Sequence, residues 1–234
     1  MSSPKAGTDE DLRRAIGRRD FAAFASGFSL RISDPLLPQI ALDLRTSIGT
    51  TSAIVTAYAV PYGRAQAFAG VLGDRFGKCQ WVAVACLTSA VLVLLCALSQ
   101  TLTQLTLARL ICAPAAATIV PLGMAYVGDV VPFERRQTVL ARFLAGQMTG
   151  MIAGQVAGGV IGDHFGWRTV FAVLAVVFAF AGLALFSQLR RNPWTQRRDH
   201  ATGTKPGFIR EYRLLIADPW CRFVVLAVFF EGAI

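Results

Sequence analysis

Two nine-residue strings constrain this chain more than any other feature: Gly70-Val71-Leu72-Gly73-Asp74-Arg75-Phe76-Gly77-Lys78 and, 89 positions on, Gly159-Val160-Ile161-Gly162-Asp163-His164-Phe165-Gly166-Trp167. Six of the nine positions are identical and Leu72 against Ile161 is conservative, so the chain reads as an internal duplication. Each string lies between two long apolar runs, and in the first the three glycines are expected to turn the chain sharply while Asp74, Arg75 and Lys78 fix a polar boundary. If each copy holds three membrane crossings, an odd number, the second copy lies inverted relative to the first. The expected fold class is an all-α polytopic membrane protein with six transmembrane helices in two inverted three-helix repeats.

Composition supports the membrane. The chain is 54% hydrophobic and only 16% charged over 234 residues, too apolar for a soluble domain. The apolar residues come in blocks of roughly twenty, which suits a bilayer core about 30 Å thick. Crossings are expected at about 20–41, 52–72, 80–98, 104–126, 139–162 and 167–188. The chain then divides into a polar cytoplasmic tail (1–19), a first repeat (20–98), a second repeat (99–189), a basic cytoplasmic loop (190–219) and a truncated seventh helix (220–234).

The net charge of +9 is explained by where the charges fall. Lys5, Arg13, Arg14, Arg18, Arg19, Arg75, Lys78, Arg135, Arg136, Arg142 and the cations of 190–222 share one side, and Arg45 and Arg168 stand opposite. The positive-inside rule makes the N-terminus cytoplasmic, in a bacterial inner (plasma) membrane, and the basic balance topological rather than a nucleic-acid footprint. Five scattered cysteines and two isolated histidines give neither a disulfide framework nor a metal site. In the basic loop, Phe208, Tyr212, Leu215 and Ile216 share one helical face, as in a short helix lying on an anionic leaflet.

Polar residues inside the crossings are the candidates for function. Helix 1 carries Arg31 and Asp34 beside Pro35 and Pro38, and charges at that depth face a water-filled cavity or a partner, unless Asp34 caps a helix restarted at Pro35. Helix 2 has Tyr58, Tyr62 and Gln66 along one face, lining a cavity or packing, with Arg64 close by at a depth comparable to Arg31. Arg109 in helix 4 lies about 9 Å below one boundary and Asp34 about 21 Å above the other, the same level, so the two can pair. Helix 5 shows Gly146, Gly150, Gly154, Gly158 and Gly162 four apart, with Gly159 adjoining. They make a ridge for close helix packing, static or sliding, flanked by Gln147, Met151 and Gln155.

These residues carry a resemblance. Gly70-x-Leu72-x-Asp74-Arg75-x-Gly77-Lys78 resembles the signature between helices 2 and 3 of the major facilitator superfamily. Arg109 matches the arginine of that family's helix 4 motif, with Cys112 and Ala113 in place of the usual Gln and Gly. Gly150-x-x-x-Gly154-Gln155-x-x-Gly158-Gly159 resembles the helix 5 antiporter motif, with Gln155 where the family has proline. Gly166-Trp167-Arg168 is similar to the drug:proton antiporter branch. The resemblance covers about residues 20–234, the N-terminal half of a twelve-helix transporter and the start of helix 7. It implies a gating motif in Gly70, Asp74, Arg75, Gly77 and Lys78, and a missing C-terminal six-helix half as partner. It also implies alternating access driven by a proton gradient.

The expected function is secondary active transport of a small organic solute across the bilayer, as proton-coupled efflux with Asp34 as the coupling carboxylate near Arg109. One alternative is an anionic solute handled by Arg31, Arg64 and Arg109. Another is a truncated membrane subunit that transports nothing. No catalytic set, cofactor or metal is expected.

Overall fold

The computed structural model describes residues 9–191. Their regular structure is helical: α1 (Asp9–Arg31), α2 (Leu37–Asp43), α3 (Ile48–Thr51), α4 (Ala53–Phe76), α5 (Lys78–Ala97), α6 (Leu102–Ala117), α7 (Ile119–Val130), α8 (Phe133–Phe165) and α9 (Trp167–Arg191). These form six rods, because α1 with α2 and α6 with α7 each make one rod with a break, and the short α3 leads into α4 across Ser52. Residues 9–19, assigned to the polar tail, are helical and continuous with the first crossing. Arg19 is buried with its guanidinium 3.3 Å from the Tyr126 ring centre, and Arg18 donates to the Ala184 carbonyl (2.9 Å) and the Ser187 hydroxyl (2.8 Å). The amphipathic segment at Phe208–Ile216 and the apolar stretch 220–234 lie outside the described residues.

Proline places both breaks. α1 stops at Arg31 and α6 at Ala117, each four residues before a proline, Pro35 and Pro121. Proline lacks the N–H that would bond the carbonyl four residues back, and its ring clashes with that carbonyl. Pro61 and Pro114, by contrast, sit inside α4 and α6 without ending them.

Positions in the two copies correspond, with an offset that changes between the first helix and the glycine string. Pro121, Leu122 and Asp129 follow Pro35, Leu36 and Asp43 by 86 positions each, whereas the glycine strings are 89 apart. A Cβ added at Gly73 would strike the Leu122 side chain, and one added at Gly162 would strike Leu36. Gly70 and Gly159 both face open space. Gly77 (φ 86°) and Gly166 (φ 83°) are the residues that turn the chain, in a left-handed conformation that favours glycine. Gly70 and Gly73 instead stay helical within α4, so one glycine per string makes the turn rather than three.

Packing follows the same exchange. The most extensive pairs are α5 on α9, α1 on α8 and α4 on α6. Swapping the repeats turns the second pair into the third and returns the first to itself, as an inverted duplication requires. Between α1 and α8 the glycine ridge is the contact: Gly146, Gly150, Gly154 and Gly158 lie against the backbone of Asp20, Phe24, Phe28 and Ile32 in step, so the two helices run parallel. An ideal Cβ at Gly154 would be 2.5 Å from the Phe28 carbonyl oxygen, an approach that only a residue without a side chain permits. Lys78–Ala97, Leu102–Val130 and Trp167–Leu189 are long and apolar enough to cross a membrane on composition alone. Polar side chains of the site come from these rods, which carry Arg109, Lys78, Asp129 and Arg168, as well as from the other three.

Candidate solute groove and end latches

The polar residues of the crossings separate into a buried cluster, an open groove and two end latches. Arg109 of α6 anchors the buried cluster at 1% exposure. Its guanidinium carbon lies 3.8 Å from the Tyr58 ring centre and 5.8 Å from that of Phe171. Both terminal nitrogens donate to the Ser29 carbonyl at 3.4 Å, while Nε has no acceptor among the described residues. The Tyr58 and Ser29 hydroxyls share a hydrogen bond of 2.9 Å, the Tyr62 and Ser26 hydroxyls one of 3.1 Å, and Ser26 also contacts the Ala116 carbonyl at 3.2 Å. Gln66 lies at the exposed end of this row. Tyr58 and Tyr62 are thus core residues, stacked at 5.6 Å between ring centres, and the cation is held by aromatic faces and a carbonyl dipole.

The expected pairing of Asp34 with Arg109 does not form. Asp34 sits in the turn after α1 and meets Arg31, three residues earlier, at 3.3 Å. Counting residues from the membrane boundary gave the level of Asp34 but not its direction, and the break at Arg31 turns it out of the core.

Arg31, half open to the surroundings, also lines a groove of about 400 Å³ with Met148, Met151, Ile152 and Gln155 of α8. Arg31, Asp34 and Gln155 are therefore brought together. Gln147 is half-buried with its backbone against Gly27, and Arg64 lies exposed on α4; neither lines the groove.

At one end of the bundle, Lys78 at the start of α5 pairs with Asp129 near the end of α7. Trp81 stacks on Phe76 (5.2 Å) and donates to the hydroxyl of Thr118, the residue at the α6–α7 break, at 3.1 Å. Arg75 is exposed beside Phe76; the side chain of Asp74 is outside the described ones. At the other end the arrangement recurs. Asp43 at the end of α2 accepts from Arg168 (2.5 Å) and from the Trp167 indole (3.0 Å). Arg168 also donates to the Ser99 carbonyl at 3.2 Å and stacks over Trp167 at 4.2 Å. These bonds, Arg168 first and Trp167 second, hold the Asp43 carboxyl below the usual carboxylate range. Sequence reasoning missed this latch. Its signal was the equal spacing of Asp43 and Asp129 within their copies, beside a basic residue opening the third helix of each.

The six-rod bundle itself recurs in known proteins. The family model described as Major Facilitator Superfamily matches residues 20–234. The chain belongs to the major facilitator superfamily. It is an integral membrane protein of that superfamily and shares 30% identity over 171 residues with an MFS-type transporter from Phoma sp., covering 73% of this chain and 32% of that relative. Among solved structures it is similar to the peptide transporter POT in complex with sulfate, at 16% identity and a TM-score of 0.68, over 98% of this chain and 48% of that one. A variant of POT in complex with alafosfalin gives 15% identity and a TM-score of 0.67, over 92% and 45%. At these identities the superfamily's solved structures support the fold alone. The chain spans about a third of the curated relative and about half of each solved transporter.

Proposed function

We propose that this chain is one half of a secondary active transporter that moves a small organic solute by alternating access, as proton-coupled efflux. The observation that carries the reading is the pair of equivalent latches at opposite ends, Lys78 with Asp129 and Arg168 with Asp43. Both latches are closed together and lie within this half, so they hold it as one rigid body, which is what a carrier that rocks one half against another requires. A second six-helix half, in the same chain or another, completes the site, and the glycine string from Gly70 to Lys78 gates it. Asp34, in contact with the groove-lining Arg31, is the coupling carboxylate, exchanging a proton as that contact breaks and re-forms. The N-terminal end is cytoplasmic at the plasma membrane, because Arg18, Arg19, Arg75, Lys78, Arg135, Arg136 and Arg142 cluster there against Arg45 and Arg168 opposite.

The test is reconstitution of the full-length protein in liposomes under an imposed proton gradient. Gradient-dependent movement of an organic solute, lost in Asp34→Asn, is the expected result. Solute movement indifferent to the gradient in both proteins would remove the coupling, and no movement of any solute would remove the carrier.

A further inference from the structure

The groove beside Arg31 deepens the carrier reading, on which it rests, by pointing to a class of solute. Arg109 is not available to one: it is buried beneath Tyr58 and Phe171 and bound to the Ser29 carbonyl. Arg31 is the cation that opens on the groove, and its described polar contact is a single one, from Nη1 to Asp34 at 3.3 Å. A guanidinium carries five N–H donors in a planar fork, and one end-on contact leaves most of them to the surroundings. When the groove is covered those donors lose water, and leaving them unmade in a low-dielectric site is costly. A carboxylate that meets the fork with both oxygens removes that cost more completely than Asp34 does from its turn.

The rest of the wall is apolar and adaptable. Met148, Met151 and Ile152 offer flexible thioethers and a branched aliphatic chain, surfaces that accept varied hydrocarbon shapes, while Gln155 adds one neutral amide. The groove, about 400 Å³, lies open in this half, with Met148 and Ile152 each 64% exposed, and its size falls in the range of small-molecule sites. We propose that this groove binds an organic monocarboxylate with an apolar body, its carboxylate displacing Asp34 from the Arg31 guanidinium. Asp34 is then an internal competitor that holds Arg31 when the site is empty.

The competition gives the experiment its sign. Binding of radiolabelled phenylbutyrate to the full chain in nanodiscs is measured for wild type, Arg31→Gln, Arg31→Lys and Asp34→Asn, with phenylbutylamine and phenylbutanol as competitors. Saturable phenylbutyrate binding is expected, resisted by an excess of the amine. It weakens about tenfold or more in Arg31→Gln and less in Arg31→Lys, and tightens several-fold in Asp34→Asn. A gain of affinity cannot come from misfolding, so the last variant guards against a trivial loss in the first. The inference is overturned if the amine displaces phenylbutyrate better than unlabelled phenylbutyrate does, if Arg31→Gln binds as wild type, or if Asp34→Asn binds more weakly. Liposomes that move the amine against the prediction leave the carrier reading intact, whereas liposomes that move nothing remove that reading while the binding arm still decides this one.

Discussion

Replacing Gly154 by alanine asks how closely α1 and α8 depend on touching backbones. An ideal Cβ at Gly154 lies 2.5 Å from the Phe28 carbonyl oxygen and 3.1 Å from its Cα, both atoms that cannot rotate away. Ordinary contact begins at 3.4 Å, so the helices must part by about 0.9 Å at that level. Gly150 and Gly158, one turn to either side, then lose contact with Phe24 and Ile32 as well. Overfilling a well-packed site costs about 1–3 kcal/mol, and alanine's better helix propensity returns about 1 kcal/mol. The steric effect wins, and Gly154→Ala is expected to lose up to about 2 kcal/mol. Gly128 in α7 has nothing within 4 Å of its ideal Cβ, so Gly128→Ala keeps only the propensity and is expected to gain up to about 1 kcal/mol. Equilibrium unfolding of both purified variants in one detergent gives the two signs. Equal stabilities, or Gly154→Ala the more stable, would refute the reasoning.

Other predictions concern the latches and the buried cation. Asp43→Asn removes a carboxyl held below its usual range, whose contribution is full above the unfolded value of about 4 and is lost as pH falls through the depressed folded value. The wild-type advantage in melting temperature over Asp43→Asn should therefore be present at neutral pH, small because the pair is exposed, and vanish in acid. Tyr58→Phe keeps the ring beneath Arg109 and loses the bond to Ser29, for about 1 kcal/mol, while Tyr58→Leu loses the aromatic face as well, for about 2 kcal/mol more. Denaturant titration resolves the step between them. Cysteines introduced at Arg75 and at Asp163 should react with an impermeant maleimide from opposite sides of the membrane; labelling from one side would contradict the inverted repeat.

Much of the fold was readable because its signals are local. Crossing length depends on unbroken runs of apolar residues, and the ridge of α8 on a four-residue glycine interval, both properties of a short window. The breaks at Arg31 and Ala117 follow from Pro35 and Pro121 by the same token. What escaped was direction around a helix and contact across the bundle. Arg109 and Asp34 share a level, yet a turn at the break points Asp34 to Arg31 instead. Tyr58 and Tyr62 lie on one face as their spacing requires, but that they face the core is decided by Arg109, Ser26 and Ser29 on other helices. The Asp43 latch was obscured because first and second helices recur at different spacings, 86 and 89, so one alignment of the copies hides it.

A ridge of evenly spaced glycines has no landmark. Moved along α1 by one turn, about 6 Å, α8 would set Gly154 on Phe24 as readily as Gly150 sits there now. On α1 a single glycine, Gly27, seats the Gln147 backbone, and two fastenings beyond the ridge add to the register: Gln39 donates to the Gly162 carbonyl at 2.7 Å at one end, and Arg142 meets Asp20 at 3.0 Å at the other. Remove both, and a pair of rods packed backbone to backbone loses two of the contacts that keep it from slipping.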